Sequence, residues 1–174
     1  MNVISTQYYD SPCGRMILGT TDGRLCLCDW TVAKHKEMLL RRLGKYFDAT
    51  FVELSSDVLD TAKRQLDEYF EKRRTVFDLP LALAGTPFQK RVWDGLLSLS
   101  YSTTISYGEL ARRIGSPKAV RAVASAVGAN AIAVIIPCHR IVGVDGSLTG
   151  FAGGLSAKRF LLELENRAGC RELF

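Results

Sequence analysis

The spacing of apolar positions changes several times along the chain, and each change marks an element. Two short apolar runs, Ile17-Leu18-Gly19-Thr20 and Leu25-Cys26-Leu27-Cys28, flank Asp22-Gly23. Asp-Gly between two such runs predicts a β-hairpin, because both residues tolerate the positive φ that a tight two-residue turn demands. A helical spacing follows around residues 32–44, with Met38, Leu39, Leu40 and Leu43 as its apolar positions. Residues 50–54 read as another strand, and Asp57 can cap a helix whose stripe is Leu59, Leu66, Tyr69 and Phe70.

Periodicity then lapses over residues 73–85, which carry Pro80 and Gly85 and form the predicted linker. Beyond it, Thr86-Pro87-Phe88-Gln89 places an N-cap, a first-turn proline and a capping-box glutamine in order. Ser106-Tyr107-Gly108-Glu109 is a second capping box, opening a short helix that ends at Gly115. Ser116-Pro117 then opens a third helix running to about Gly128. Helix, tight turn, helix is the outline of a helix-turn-helix. The third helix is nearly bare of large polar groups, so it reads either as a recognition helix that approaches a surface closely or as a well-packed core helix. After Asn130 the run over residues 131–136 is apolar and buried, and Pro137 ends it. Residues 143–154 form a glycine-rich loop or hairpin, and Ser156 caps a final helix containing Phe160, Leu161, Leu162 and Leu164. There is no internal repeat.

Composition narrows the function classes only modestly. With 174 residues, 47% apolar and 24% charged, the chain can bury a real core. No apolar run is long enough to span a bilayer, and the N-terminus lacks the features of a secretion signal, so no membrane association and a cytoplasmic location are expected. The net charge of +5 permits a nucleic-acid partner without demanding one. The five cysteines are an odd number and do not read as a disulfide framework. Cys26 and Cys28 share one side of a strand, and a metal site could be drawn from them with Cys13 and His35. That spacing matches no standard zinc pattern, and packing is the preferred reading.

Chemistry concentrates at Ile136-Pro137-Cys138-His139-Arg140. A thiol must ionise to be nucleophilic, a histidine can take its proton, and a carboxylate can orient that histidine. Neighbours on a regular strand point to opposite faces, so Cys138 and His139 meet only through a turn, a helical start or a bridging water. The plainer alternatives are a buried packing cysteine followed by two solvated basic residues. A polar, basic pair directly after a buried apolar run favours a nucleophile but names no substrate.

The stretch from Ile136 to Gly143 resembles the active-site signature of the O6-alkylguanine-DNA alkyltransferases, the methylated-DNA–protein-cysteine methyltransferases. The resemblance continues in register from Gly85-Thr86-Pro87-Phe88-Gln89 through Ser106-Tyr107-Gly108 and Lys118-Ala119-Val120-Arg121-Ala122-Val123 to Gly153-Gly154 and Leu161-Leu162-Glu163-Leu164-Glu165. It covers roughly the second half of the chain; the first half matches in size and outline. The implied fold class is α/β: a small N-terminal α/β domain over residues 1–79, ribonuclease H-like, a linker to about 85, and a mostly helical C-terminal domain over residues 86–174 with a helix-turn-helix.

By similarity, Cys138 takes the alkyl group from guanine O6, and with it the alkyl of O4-alkylthymine, irreversibly and once per molecule. Glu165, His139 and a water activate the thiol, and Tyr107 donates to the leaving base, as a phenol still protonated at working pH can. No metal or organic cofactor is implied. The partner is double-stranded DNA carrying O6-alkylguanine, entered from the minor groove by a monomer that flips the damaged nucleotide out. Arg121, Ala122, Ser125, Ala126 and Gly128 match the DNA-contacting helix, with Arg121 replacing the lost base, and Asn130 matches the hinge that ties this helix to the active-site segment. Ile141, Phe151 and Ala152 match the base pocket; animal members carry tyrosine and serine where this chain has Phe151 and Ala152. Animal members also hold zinc in the N-terminal domain, whose ligand pattern is not present here. A non-catalytic lesion binder is the main alternative, and such relatives have tryptophan in place of the cysteine. A cysteine hydrolase needs features no sequence displays, and a sequence-specific regulator needs more base-reading side chains than the third helix carries.

Overall fold

The computed structural model describes residues 2–151 and 153–169, without the side chains of residues 167–169. It divides into two compact units, Met1–Ala84 and Gly85–Phe174. The first holds four strands, β1 (Asn2–Ser11), β2 (Gly14–Thr21), β3 (Arg24–Trp30) and β4 (Ala49–Glu53), with helices α1 (Ala33–Phe47) and α2 (Asp57–Phe70). Their order in the sheet is β3-β2-β1-β4, antiparallel except for the parallel β1–β4 pair. The predicted hairpin joins β2 to β3, with Asp22 and Gly23 at φ 54° and 72°.

Adjacent residues of β1 reach different helices. Tyr8 Oη accepts from Lys36 Nζ of α1 at 2.9 Å, while Tyr9 Oη donates to Asp67 of α2 at 2.7 Å and Gln7 accepts from Lys63. Neighbours on a strand face opposite ways, so the two helices cover opposite faces of the sheet. Double coverage explains why Leu25, Cys26, Leu27 and Cys28 are all buried, on both sides of β3. Cys26 Sγ donates to the Gly19 carbonyl at 3.5 Å. The stretch around Pro80 lies along β3: Leu25 N donates to Pro80 O at 2.8 Å, and Ala82 N donates to Leu25 O at 2.9 Å. Those bonds cover an edge that would otherwise expose unpaired backbone. The cap of α2 is Ser56, whose Oγ accepts from Leu59 N at 3.1 Å, and not Asp57, which sits inside the first turn where its charge suits the helix dipole.

Asp29, fully buried on β3, accepts from Trp30 N at 2.8 Å and meets His35 Nε2 of α1 at 2.8 Å. The bond to Asp29 raises the His35 pKa above its ordinary 6.5. A raised histidine pKa contributes stability that is complete below the unfolded value and is lost as pH climbs through the folded one. Thermal midpoints are therefore expected to fall as the pH rises above the ordinary histidine value of 6.5. The slope should flatten in His35→Gln; an equal slope in the variant would assign the effect elsewhere.

The second unit holds α3 (Pro87–Leu97), a two-residue strand β5 (Ile105–Ser106), α4 (Tyr107–Arg113), α5 (Val120–Gly128), a 3₁₀ turn (Cys138–Arg140), β6 (Ile141–Val142) and α6 (Leu155–Gly169). Both halves of the α3 capping box are made. At α4 only Ser106 caps, at 3.1 Å from Glu109 N, because the Glu109 carboxylate pairs with Arg112 and Arg113. Helix α5 starts at Val120, later than Ser116-Pro117 suggests. Ser116 Oγ accepts from Arg91 at 3.1 Å, and Ser116 O closes a turn with Ala119 N at 2.9 Å, so it is not a cap. The last helix likewise begins at Leu155, leaving Ser156 within its first turn.

Gly85 is required by close approach: a Cβ there would lie 2.4 Å from the Trp93 ring. That indole is fixed from its other end, donating from Nε1 to Ala126 O at 2.8 Å. Gly85→Ala is therefore expected to destabilise the second unit by about 1–3 kcal/mol, read as a lower urea midpoint at unchanged slope.

Candidate active site

The apolar run over residues 131–136 is a buried turn and not a strand. Ile135 N and Ile136 N donate to Ala133 O and Ile132 O at 2.8 and 2.9 Å, and Val134 adopts a φ of 71°. Asn130, directly beyond α5, pins this turn from both ends: Nδ2 donates to Ile136 O and Oδ1 accepts from Ile132 N, each at 2.9 Å. Pro137 then leads into the 3₁₀ turn, closed by Arg140 N donating to Pro137 O at 3.1 Å. With three residues per turn, Cys138, His139 and Arg140 point in three directions. The backbone at Cys138 thus leaves strand geometry in a short helical start. All three side chains are buried.

His139 and Arg140 converge on Glu165 of α6, which is 1% exposed. His139 Nε2 lies 2.7 Å from Glu165 Oε2. Arg140 grips the same carboxylate with two prongs, Nε on Oε1 and Nη2 on Oε2, each at 3.0 Å, and its Nη1 donates to Leu99 O at 2.8 Å. Ser102 N supplies another donor, 3.2 Å from Oε1. Burial alone pushes the Glu165 carboxyl up, but its bonds to His139 and Arg140 outweigh that and hold it well below the usual carboxylate range. Burial pushes the His139 imidazole down against the pull of Glu165, with Arg140 and Lys158 adding to the lowering. The two directions agree: the carboxylate is ionised, Arg140 balances it, and the imidazole stays neutral. A carboxylate can only accept, so Nε2 carries the ring hydrogen and Nδ1 presents a lone pair. Nδ1 is buried and has no hydrogen-bond partner among the described residues. Chemically, this is an oriented, uncharged base beside a thiol.

Lys158, also on α6, is 1% exposed and donates to Ile141 O at 2.6 Å and Thr149 O at 3.1 Å. Burial lowers its pKa, while an ionised Cys138 acts on it in the opposite direction, so the ammonium and a thiolate attract one another. Strand β6 pairs with β5, setting Ile141 opposite Ile105 and Val142 opposite Ser106. That pairing brings the segment after Cys138 beside the start of α4, where Tyr107 Oη lies 2.9 Å from Thr149 Oγ1 of the loop over residues 143–154. The Phe151 ring centroid lies 6.0 Å from Lys158 Nζ.

Gly115, at φ 80°, turns the chain from α4 into α5. On α5 the exposed positions are Val120, Arg121, Ala122, Ser125 and Gly128, the last four forming one stripe at helical spacing, with Val123, Ala126 and Val127 on the buried face. Ala126 thus departs from the expected contact set: it is 2% exposed, packed beneath the helix.

Residues 87–167 match the family described as 6-O-methylguanine DNA methyltransferase, DNA binding domain, and residues 4–83 match its ribonuclease-like domain. A Mycobacterium bovis protein named methylated-DNA–protein-cysteine methyltransferase is 47% identical over 139 residues, which is 78% of this chain and 84% of its own. One of the same name from Methanosarcina barkeri is 43% identical over 161 residues, 91% of this chain and 96% of its own. The chain belongs to the methylated-DNA–protein-cysteine methyltransferase family.

Solved structures agree with this placement. The crystal structure of Mycobacterium tuberculosis O6-methylguanine methyltransferase superposes with a TM-score of 0.80 at 38% identity, covering 98% of this chain and 97% of that one. Mycobacterium tuberculosis OGT crystallised in complex with DNA gives 0.79, at the same identity and coverage. The methyltransferase fold is therefore an α/β ribonuclease-like unit followed by a mostly helical one.

Of the site residues expected from sequence, His139 and Glu165 pair in a buried centre, Cys138 is buried in the same 3₁₀ turn as His139, and Tyr107 joins the loop that carries Phe151. Ile141 is wholly buried and contributes its carbonyl to Lys158. Ala152 lies outside the described residues. Arg140, Lys158, Thr149 and Ser102 were not anticipated. For Lys158 a signal existed: Lys158, Leu161 and Glu165 fall at i, i+3 and i+7, which sets two charges on the stripe that buries Leu161. Among the described residues no group of three His, Cys, Asp or Glu is placed to hold a metal ion, and no helix is long and apolar enough to cross a membrane.

Proposed function

We propose that this member of the methyltransferase family repairs double-stranded DNA by moving the alkyl group of O6-alkylguanine, and of O4-alkylthymine, onto its own Cys138. The observation that carries the reading is the neutral His139, held by an ionised Glu165 whose charge Arg140 balances, next to a cysteine. His139 Nδ1 takes the thiol proton through a water, and the thiolate attacks the alkyl carbon in line. The carbon–oxygen bond breaks and the electron pair leaves with the base, to which Tyr107 donates. The thioether formed has no route back, so each molecule acts once.

The exposed stripe of α5 suits the DNA side of the task. Ala122, Ser125 and Gly128 are small enough to let the helix backbone enter a minor groove, where sequence readout is weak and unneeded. Arg121, exposed at the N-terminal end of that stripe, fills the gap left by the flipped nucleotide. Asn130 ties the end of α5 to the turn before Cys138, so the helix and the thiol keep a fixed relation. In this reading Ile141 and Phe151 belong to the base pocket. We assign DNA binding and alkyl transfer to residues 86–174 and a supporting role to residues 1–79, acting as a monomer in the cytoplasm, where thiols stay reduced.

Stoichiometry is the test. Mixed with excess duplex carrying O6-methylguanine, the protein is expected to repair one lesion per molecule and stop. Continued turnover, or no loss of the lesion, would contradict the proposal.

A further inference from the structure

Tyr107 and Thr149 share a hydrogen bond of 2.9 Å between α4 and the loop over residues 143–154. Thr149 is held from its backbone as well, its carbonyl accepting from the buried Lys158 ammonium at 3.1 Å. The same ammonium donates to Ile141 O at 2.6 Å, on the strand that follows the Cys138 turn. The Thr149 hydroxyl is thus fixed relative to both the phenol and the thiol segment. Among the described residues its hydrogen-bond partner is Tyr107 Oη.

Two hydroxyls at this distance hold one hydrogen between them, and either can supply it. The ambiguity ends when a basic acceptor arrives. A phenol is a stronger acid than an aliphatic alcohol, so the phenol proton goes to the acceptor and the alcohol turns its hydrogen onto the phenol oxygen.

We propose that Thr149 is a positioning residue for alkyl transfer, donating to the Tyr107 oxygen so that the phenol proton is aimed at the leaving guanine. The proposal rests on the reading of Tyr107 given above. In the step, the bond from Sγ to the alkyl carbon forms, the carbon–oxygen bond breaks, and the electron pair departs with guanine. The phenol proton moves to guanine, and the proton taken from Cys138 returns through solvent to balance it. As the proton leaves, charge builds on the phenol oxygen, and the bond from Thr149 becomes charge-assisted. The bond is therefore stronger in the transition state than in the ground state, which is the condition for raising the rate and not merely the affinity.

The test compares Thr149→Val, which keeps the shape and removes the hydroxyl, with Thr149→Ser, which keeps the hydroxyl. Single-turnover methyl transfer at saturating duplex is expected to fall about tenfold in Thr149→Val and to recover in Thr149→Ser, with unchanged duplex affinity. Alkylation of Cys138 by iodoacetamide, whose iodide leaves without a proton, is expected to be unaffected. In a Tyr107→Phe background, Thr149→Val is expected to add no further loss. A Thr149→Val rate within about twofold of the parent, a faster one, or an undiminished loss in the Tyr107→Phe background would overturn the proposal. If Tyr107→Phe slows transfer and Thr149→Val does not, Thr149 alone is misassigned. If Tyr107→Phe leaves the rate intact, the reading of Tyr107 fails and takes this one with it.

Discussion

Glutamine in place of Glu165 is expected to destabilise the second unit by about 3–5 kcal/mol and to slow methyl transfer by about 10²–10⁴-fold. The reason is a count of donors. His139 Nε2, Arg140 Nε, Arg140 Nη2 and Ser102 N all aim at the two carboxylate oxygens, within 2.7–3.2 Å. A carboxylate accepts all four. An amide offers one oxygen, and its NH₂ group would face donors. Arg140, 6% exposed, would be left as a buried charge without its counter-ion, which costs more than the original pair contributed. His139 would lose the partner that fixes its tautomer, and with it the lone pair at Nδ1. Urea unfolding reads the first effect and single-turnover kinetics the second. A variant with the parent's midpoint and rate would show that the cluster is neither a structural nor a chemical centre.

Serine in place of Cys138 is expected to abolish transfer while leaving the fold and the affinity for methylated duplex intact. The substitution is nearly isosteric and the site is 8% exposed, so packing changes little. The chemistry changes completely. A neutral imidazole can take a proton from a thiol, but an aliphatic hydroxyl is many orders of magnitude less acidic, and the buried Lys158 cannot make up that difference. Band-shift titrations at fixed salt check the binding half of this expectation. Measurable repair by the serine variant would mean that the alkyl group goes elsewhere.

Legibility in the sequence followed the range of the forces involved. The hairpin at Asp22-Gly23 and the box at Thr86-Gln89 were readable because a few adjacent residues decide them. Starts of α2, α5 and α6 shifted where several capping residues stand close together and tertiary bonds choose, as Arg91 does by occupying Ser116. The run over residues 131–136 shows a different limit. Its apolar character reports burial, but only the bonds from Asn130 decide that it is a turn. At the centre, Cys138 and His139 were visible as neighbours, whereas Arg140 read as solvated because its partner stands 25 positions away on α6. Ala126 was misplaced for a converse reason: on a helix of small residues, composition does not separate the exposed stripe from the buried one.

The central claim is that Cys138 itself receives the alkyl group. Incubation with a duplex carrying O6-methylguanine, followed by proteolysis and mass analysis of the fragments, tests it directly. A single added methyl on the Cys138 fragment, with Cys13, Cys26 and Cys28 unchanged, is the predicted result. A methyl on any other residue, or none on the protein while the lesion disappears, would contradict it.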